Sequence, residues 1–272
     1  MKKIKILIAT CLLSTTCMFA QDKSLDSTAT TRASASAAQA NNPLANMTAV
    51  SFQDYYMPKL AEAPDAAFMN TMWVRFAKPV AKGKMLLRAS MPFSSLGMPN
   101  VNGVVNTTSG TGDFNAFLSY NFVSNATTTM GIGPSITAPT ASDDLLGTGK
   151  WQGGFAFVGF VAKSPVFQFG GLITWQASFA GDSDRADTSL GAIQPFYFWQ
   201  LGKGTYLRGA PIWVLDFEKD AYSIPIALGI GKVIKLGPTV FNLYIEPQYS
   251  MYVKGTQPVF QVLTGINLQF MK

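Results

Sequence analysis

From Met47 to Phe270 apolar and polar side chains alternate with a period of two. The pattern is longest near the end of the chain. In 240–252, Phe241, Leu243, Ile245, Pro247, Tyr249 and Met251 fall on one face, and Asn242, Tyr244, Glu246, Gln248, Ser250 and Tyr252 on the other. In 259–270, Phe260, Val262, Ile266, Leu268 and Phe270 oppose Gln261, Gly265, Asn267 and Gln269. Successive side chains of a strand point to opposite faces, and no helix gives alternation of this length. The same pattern predicts strands near 47–57, 69–79, 83–93, 112–122, 128–138, 151–162, 166–179, 189–201, 205–217, 223–233, 240–252 and 259–270. Each is about ten residues or more, enough for a tilted strand to cross a bilayer. Twelve is an even count, as single-chain bacterial barrels have.

The connections add an independent expectation. Val80–Lys82, Lys163–Pro165, Gly202–Gly204 and Lys235–Pro238 are short and turn-like, whereas Ser94–Thr111, Thr140–Lys150 and Ala180–Thr188 are long. Short turns alternating with longer loops predict a closed antiparallel transmembrane barrel with both termini in the periplasm. Glu218–Tyr222 and Lys254–Pro258 are short for outer loops, and Ser124–Thr127 is long for a turn.

The chemistry of the two faces distinguishes this all-β reading from a soluble barrel. In 223–233, Ile224, Ile226, Leu228 and Ile230 oppose Pro225, Ala227, Gly229 and Gly231. A soluble lipocalin-like barrel or sandwich would place Lys and Glu on its polar face. Here the polar faces carry mainly Asn, Gln, Ser and Gly, so the apolar faces are expected to meet lipid. Pro195, Pro211, Pro225 and Pro247 interrupt proposed strands and imply bulges or local breaks. Phe196 and Phe198 share parity with Gln194 and Gln200, so aromatic bulk is expected inside the barrel there.

Composition agrees. Charged residues make up 13% of the chain and hydrophobic residues 48%, against roughly 25% charged in a soluble domain. After the first residues no apolar run reaches a helical span, and a closed barrel is the remaining way to pair every backbone group in lipid. Residues 1–20 read as a signal peptide, with Lys2, Lys3 and Lys5 before the apolar Ile6–Leu13 and a cut after Ala20. A lipoprotein reading through Cys17 is the alternative, although Ser14 and Thr16 make a poor lipobox. Residues 21–46, rich in Ala, Ser, Thr, Gln and Asn, read as a flexible periplasmic leader, with a marginal short helix as the alternative. Both cysteines, Cys11 and Cys17, lie in the signal, and the chain has no histidine. Of 21 basic residues three lie in the signal, leaving 18 against 15 acidic ones. That balance is too weak to indicate nucleic acid.

Several motifs carry a family resemblance. Gly133-Pro134-Ser135, Pro139 to Asp144, and Leu146-Gly147-Thr148-Gly149-Lys150-Trp151-Gln152 stand first, followed by Phe179 to Asp182 with Arg185. Gln194-Pro195-Phe196, Pro211-Ile212-Trp213 with Asp216, Pro225 to Lys232, and Glu246 to Tyr249 complete the series. Over roughly 47–270 the chain resembles an outer-membrane barrel family catalogued under the MetA-pathway of phenol degradation and also described as transporters. The resemblance implies the barrel fold and a link to aromatic compounds, not a substrate. It also makes Phe270 similar to the terminal aromatic that barrel-assembly machinery reads.

Candidate chemistry is confined to two places. By parity Arg75, Arg88, Arg208, Asp113, Asp216 and Glu246 face inward. Charges at membrane depth are costly unless paired or hydrated, so they mark either a constriction that orients solutes or a salt-bridged core filling a narrow lumen. The second place is the outer-loop set Asp143, Asp144, Lys150, Trp151, Asp182 and Arg185. Asp143 and Asp144 could bind a surface cation but read better as a loop turn, and Lys150 with Trp151 reads as an interface anchor. Without histidine, the usual base of barrel enzymes and the commonest zinc ligand are missing, so no catalytic residue, metal or cofactor is expected. The expected partners are outer-membrane lipid, the assembly machinery and a small solute, in the outer membrane of a Gram-negative-type bacterium. The expected function is a passive channel or uptake protein for small molecules, hydrophobic or aromatic ones included. A closed structural or surface-binding barrel is the alternative.

Overall fold

The computed structural model describes residues 40–42 and 47–270. The expected signal peptide, and most of the expected leader, therefore lie outside the described residues. Residues 47–270 form twelve strands. They are β1 (Thr48–Leu60), β2 (Phe68–Val80), β3 (Met85–Pro99), β4 (Val105–Thr111 continuing as Phe114–Ser124), β5 (Thr128–Ala138) and β6 (Lys150–Val161). There follow β7 (Phe167–Gly181), β8 (Ser189–Gly202), β9 (Thr205–Gly209 and Trp213–Asp216), β10 (Ala221–Ala227 and Gly229–Leu236), β11 (Thr239–Lys254) and β12 (Pro258–Phe270). Each strand pairs antiparallel with its chain neighbours, and β12 returns to β1 with Phe270 opposite Thr48 and Thr264 opposite Asp54. The sheet is thus closed, which removes the free edges that hydrocarbon cannot satisfy.

Parity decides the two surfaces. On β11 the even positions Asn242, Tyr244, Glu246, Gln248 and Ser250 are buried and the odd positions Leu243, Ile245, Tyr249 and Met251 are exposed. Phe52, Met72, Phe76, Ile132, Phe155, Ile173, Trp199 and Ile230 extend the exposed apolar belt over other strands. A soluble protein rarely exposes an apolar patch beyond a few hundred Å², so the solvent of this belt is lipid. No helix among the described residues is long and apolar enough to cross a membrane; the chain crosses with strands.

Two interior aromatics are seated against glycines of neighbouring strands. The Tyr206 ring lies where a side chain on Gly231 would be, and the Tyr244 ring where one on Gly265 would be. Each glycine leaves a slot across which the ring lies flat, and so narrows the lumen without displacing the wall. Gly265→Val is expected to push the Tyr244 ring off the wall and to destabilise the barrel by ~1–3 kcal/mol, the usual effect of overpacking. The check is a lower temperature for conversion of the folded gel band to the unfolded one.

The structure differs from the alternation pattern in two respects. The expected outer link Ser94–Thr111 is largely strand: β3 runs on to Pro99 and pairs with Val105–Thr111, Phe93 opposite Thr111 and Pro99 opposite Val105. Serines, threonines and asparagines on both faces leave no hydrophobic period to read, because this hairpin stands beyond the apolar belt. Its tip is closed by Asn100, whose side-chain oxygen accepts the backbone N–H groups of Asn102 (2.9 Å) and Val104 (3.1 Å).

The second difference explains the prolines. They occupy four successive strands, β8 to β11, and three border a gap in the hydrogen-bond ladder. Gly209 pairs with Tyr197 and Trp213 with Ile193, so the β8–β9 register is unchanged across the gap, which places Pro211 opposite Pro195. On the other side Arg208 pairs with Gly229 and Val214 with Ser223, again in one register, leaving 209–213 without ladder bonds to 224–228. Prolines suit such a place because they have no N–H to leave unpaired in lipid. Side chains satisfy three of the carbonyls at the gap. Gln194 donates to Ala210 O (3.1 Å), Trp213 Nε1 to Pro225 O (3.0 Å) and the Tyr197 hydroxyl to Ala227 O (3.0 Å). Pro225 also sits at a register shift on the β11 side. Pro247 itself keeps its register, and its carbonyl accepts Leu228 N–H at 3.3 Å.

Candidate functional site

The inward faces enclose a chamber of about 160 Å³ inside the barrel. Its apolar wall comes from Leu86, Phe117, Val158, Leu172, Phe196, Phe198 and Leu263, and its polar wall from Gln53, Gln194, Asn267, Arg75, Arg88 and Arg208. The expected inward turn of Phe196 and Phe198 is thus observed. Phe160 joins them, its ring centroid 6.3 Å from each.

One polar chain organises the chamber wall. The Arg75 guanidinium donates to Gln53 Oε1, and Gln53 Nε2 donates to the Tyr244 hydroxyl at 2.7 Å. The Arg208 guanidinium lies 3.6 Å from the centre of the Tyr244 ring. Its Nε donates to Glu246 Oε2 at 2.6 Å. The other Glu246 oxygen accepts Ala210 N–H at 2.9 Å and Gln248 Nε2 at 2.7 Å. Glu246 thereby replaces the missing ladder partner at the β9 gap. Both members of the pair are buried, Glu246 to 0% exposure.

Arg75 and Arg88 differ from Arg208. Arg75 packs over Trp73 with its guanidinium carbon 4.8 Å from the ring centre, and Arg88 over Phe117 at 5.8 Å. Among the described residues neither has a carboxylate within ion-pair distance.

Asp113 and Asp216 do not line this chamber. Asp113 lies in the break of β4, where its carboxylate accepts Ala141 N–H (3.2 Å), Thr148 N–H (2.8 Å) and the Thr148 hydroxyl (2.9 Å). Asp216 ends β9, and its carboxylate accepts the N–H groups of Glu218 (3.1 Å) and Lys219 (3.0 Å). Both sit where the regular ladder is interrupted or ends, so their carboxylates are taken up by loop backbone donors rather than by a constriction.

The residues of the expected outer-loop set tie 139–149 to 182–188. Arg185 donates to Asp144 O (2.8 Å) and Gly147 O (2.6 Å) and lies 3.6 Å from the Asp144 carboxylate. Asp143 closes its own turn by accepting Leu145 N–H at 2.9 Å, and Asp182 does the same with Asp184 N–H. Trp151 is exposed on the outward face at the start of β6.

Lys150 pairs with Asp187 at 3.2 Å. The Lys150 hydrogen bond, then that from Ser178, holds the Asp187 carboxyl below its usual value of 3.8. Because the folded value is the lower one, this tether is complete above the usual carboxylate range and is lost as pH falls through the depressed value. Protection of the 182–188 amides, taken relative to their intrinsic exchange at each pH, is therefore expected to hold from neutral pH down to the usual carboxylate range and to fall below it. Asp187→Asn should remove that pH response.

Sequence reasoning missed one contributor, the end of the leader. Ala40, Asn41 and Asn42 are buried within the barrel and line the chamber at the rim where both barrel ends meet. Asn242 Nδ2 donates to Asn41 Oδ1 (2.9 Å) and Ala40 O (3.4 Å), and Gln269 Nε2 donates to Ala40 O (2.8 Å). The expected flexible leader thus includes a segment docked in the lumen. The available signal was the polar inward pair Asn242 and Gln269, which needs partners in a narrow barrel.

In fold the chain is similar to an outer membrane channel from Pseudomonas putida F1, with a TM-score of 0.59 and 16% identity over 82% of this chain and 94% of that one. It is also similar to the NanC porin, with a TM-score of 0.50 and 11% identity over 82% of this chain and all of that one (100%). At such identities the likeness shows the fold: a closed, outer-membrane type of barrel. No protein-family model matches the chain, and no curated protein does.

Proposed function

We propose that this barrel is a passive outer-membrane uptake channel for small molecules, occluded in the described state by the segment at Ala40–Asn42. The observation that carries the reading is the chamber itself. A purely structural barrel of this width would fill its lumen with interdigitated side chains, whereas this one keeps about 160 Å³ open and closes one end with a separate piece of chain. Asn242 and Gln269 hold that piece by side-chain hydrogen bonds rather than by a buried apolar face, which is compatible with release.

The mixed wall favours solutes with an apolar body, and a cavity of this size is comparable to one that takes benzene in an apolar core. Two further considerations support small aromatic solutes and an outer-membrane location. One is the motif resemblance to the phenol-degradation barrel family, and the other is the fold shared with the two channels above. On this reading the loop rim faces outward and both barrel ends face the periplasm. The exported chain is assembled through the C-terminal strand ending at Phe270, by way of the signal peptide at 1–20.

Liposome swelling with the purified chain tests the proposal. Small solutes should enter measurably faster than into protein-free liposomes, and equal rates would leave only the closed, surface-binding reading.

A further inference from the structure

We infer that Arg75 and Arg88 form the anion-binding end of a site for a small organic anion with a ring-sized apolar body, such as a monoaromatic carboxylate or phenolate. The inference rests on reading the chamber as solute-accessible, and it adds the charge and shape of what binds there.

The backbone places the two cations together. Arg75 pairs with Ser90 and Arg88 with Ala77 across β2 and β3, so the two arginines are diagonal neighbours on one inward face. Diagonal pairs lie about 7–8 Å apart at the backbone, and both side chains reach the same chamber. Their partners are incomplete. Arg75 has the neutral oxygen of Gln53 and the Trp73 ring. Arg88 has the Phe117 ring and, among the described residues, no hydrogen bond or ion pair to the protein.

Two like charges in a shared low-dielectric space repel, and each carries the desolvation cost of a charge at membrane depth. A structural role for them would call for a carboxylate between them. Among the described residues the buried interior carboxylate is Glu246, and Arg208, Ala210 and Gln248 engage it. The compensating negative charge is therefore assigned to a ligand. A guanidinium presents a fork of N–H donors that matches a carboxylate's two oxygens.

The apolar wall specifies the rest of the ligand. Leu86 and Phe117 line the chamber beside Arg88, and Val158, Leu172, Phe196 and Phe198 line it from β6, β7 and β8. An inorganic anion would leave this surface bare, and a neutral hydrocarbon would leave the guanidiniums uncompensated. A carboxylate on a single ring answers both, and its size suits about 160 Å³.

Titration calorimetry on the full chain in detergent, with sodium benzoate as probe, tests this directly. Benzoate should bind at least about tenfold more tightly than benzamide, its neutral isostere, and than acetate, which lacks the ring. Trp73, under Arg75, should report the same binding through its fluorescence. Arg88→Gln should weaken benzoate at least about tenfold while leaving benzamide unchanged, and Arg88→Lys should restore part of the loss. The benzoate-to-benzamide ratio needs no variant, so it stands even if Arg88→Gln misfolds. Equal affinity for benzoate and benzamide, or for benzoate and acetate, overturns the inference, as does undiminished benzoate binding by folded Arg88→Gln. The channel reading fails separately. Benzoate binding without solute entry into liposomes keeps the site and removes the channel, whereas solute entry without benzoate binding does the reverse.

Discussion

Glu246→Ala is expected to lower the unfolding free energy of the barrel by about 3–5 kcal/mol, the cost of stranding a buried charge. Arg208 keeps its positive charge when the carboxylate goes, and what then faces it are the rings of Tyr244 at 3.6 Å and Phe198 at 5.9 Å. The same substitution strips Ala210 N–H of its acceptor at the one stretch of wall where β10 offers no ladder partner. Glu246→Gln should fall between, because an amide oxygen can still accept from Ala210 but cannot neutralise Arg208. The double exchange Arg208→Met with Glu246→Leu should recover most of the loss, since removing both charges removes the penalty along with the attraction. Urea unfolding in phospholipid vesicles, followed by tryptophan fluorescence, measures all three. A loss below about 1 kcal/mol for Glu246→Ala would show that water reaches Arg208 and that the pair is an ordinary exposed one.

How legible was this arrangement in the amino-acid order? Strand alternation on β11 and β12 was sufficient to assign inward and outward residues, because lipid on one side and a narrow lumen on the other punish any slip of register. Parity likewise placed Arg75, Arg88, Arg208 and Glu246 on the inner face, where the structure has them. Parity says nothing about height along the barrel, however. Asp113 stands in the break of β4 and Asp216 at the end of β9, and there the nearest donors are loop N–H groups.

The prolines show a different limit. Each one read singly as a defect in a strand. Only the register between neighbouring strands reveals that Pro195 and Pro211 face each other and that Pro225 borders the same gap. Pairing across strands is information about the sheet, and a one-dimensional period does not contain it. The hairpin beyond Phe93 escaped notice for the opposite reason, since water on both faces leaves Ser, Thr and Asn with no pattern to display.

The docked leader was invisible on the same grounds. A run of small polar residues has no apolar stripe, so composition alone reads it as chain that cannot order itself. What orders Ala40–Asn42 is the barrel's own unmet polar surface, supplied by Asn242 and Gln269 from two adjacent strands. This gives the second large effect. Asn242 and Gln269 give the segment three hydrogen bonds at ~1 kcal/mol each, so the double exchange Asn242→Leu with Gln269→Leu should shift its docked-to-released ratio by roughly 10²-fold. In planar bilayers the expected readout is a higher single-channel conductance with fewer closures than the unaltered chain shows. Leucine keeps both strands apolar-compatible and leaves Arg75, Arg88 and Glu246 untouched, so the wall itself should remain folded. Excision of 22–46 behind an intact signal should give the same conductance as the double exchange. If instead both variants conduct like the unaltered chain, the segment at 40–42 lines the passage without blocking it, and the narrow point lies among the interior aromatics Tyr206, Tyr244, Phe196 and Phe198.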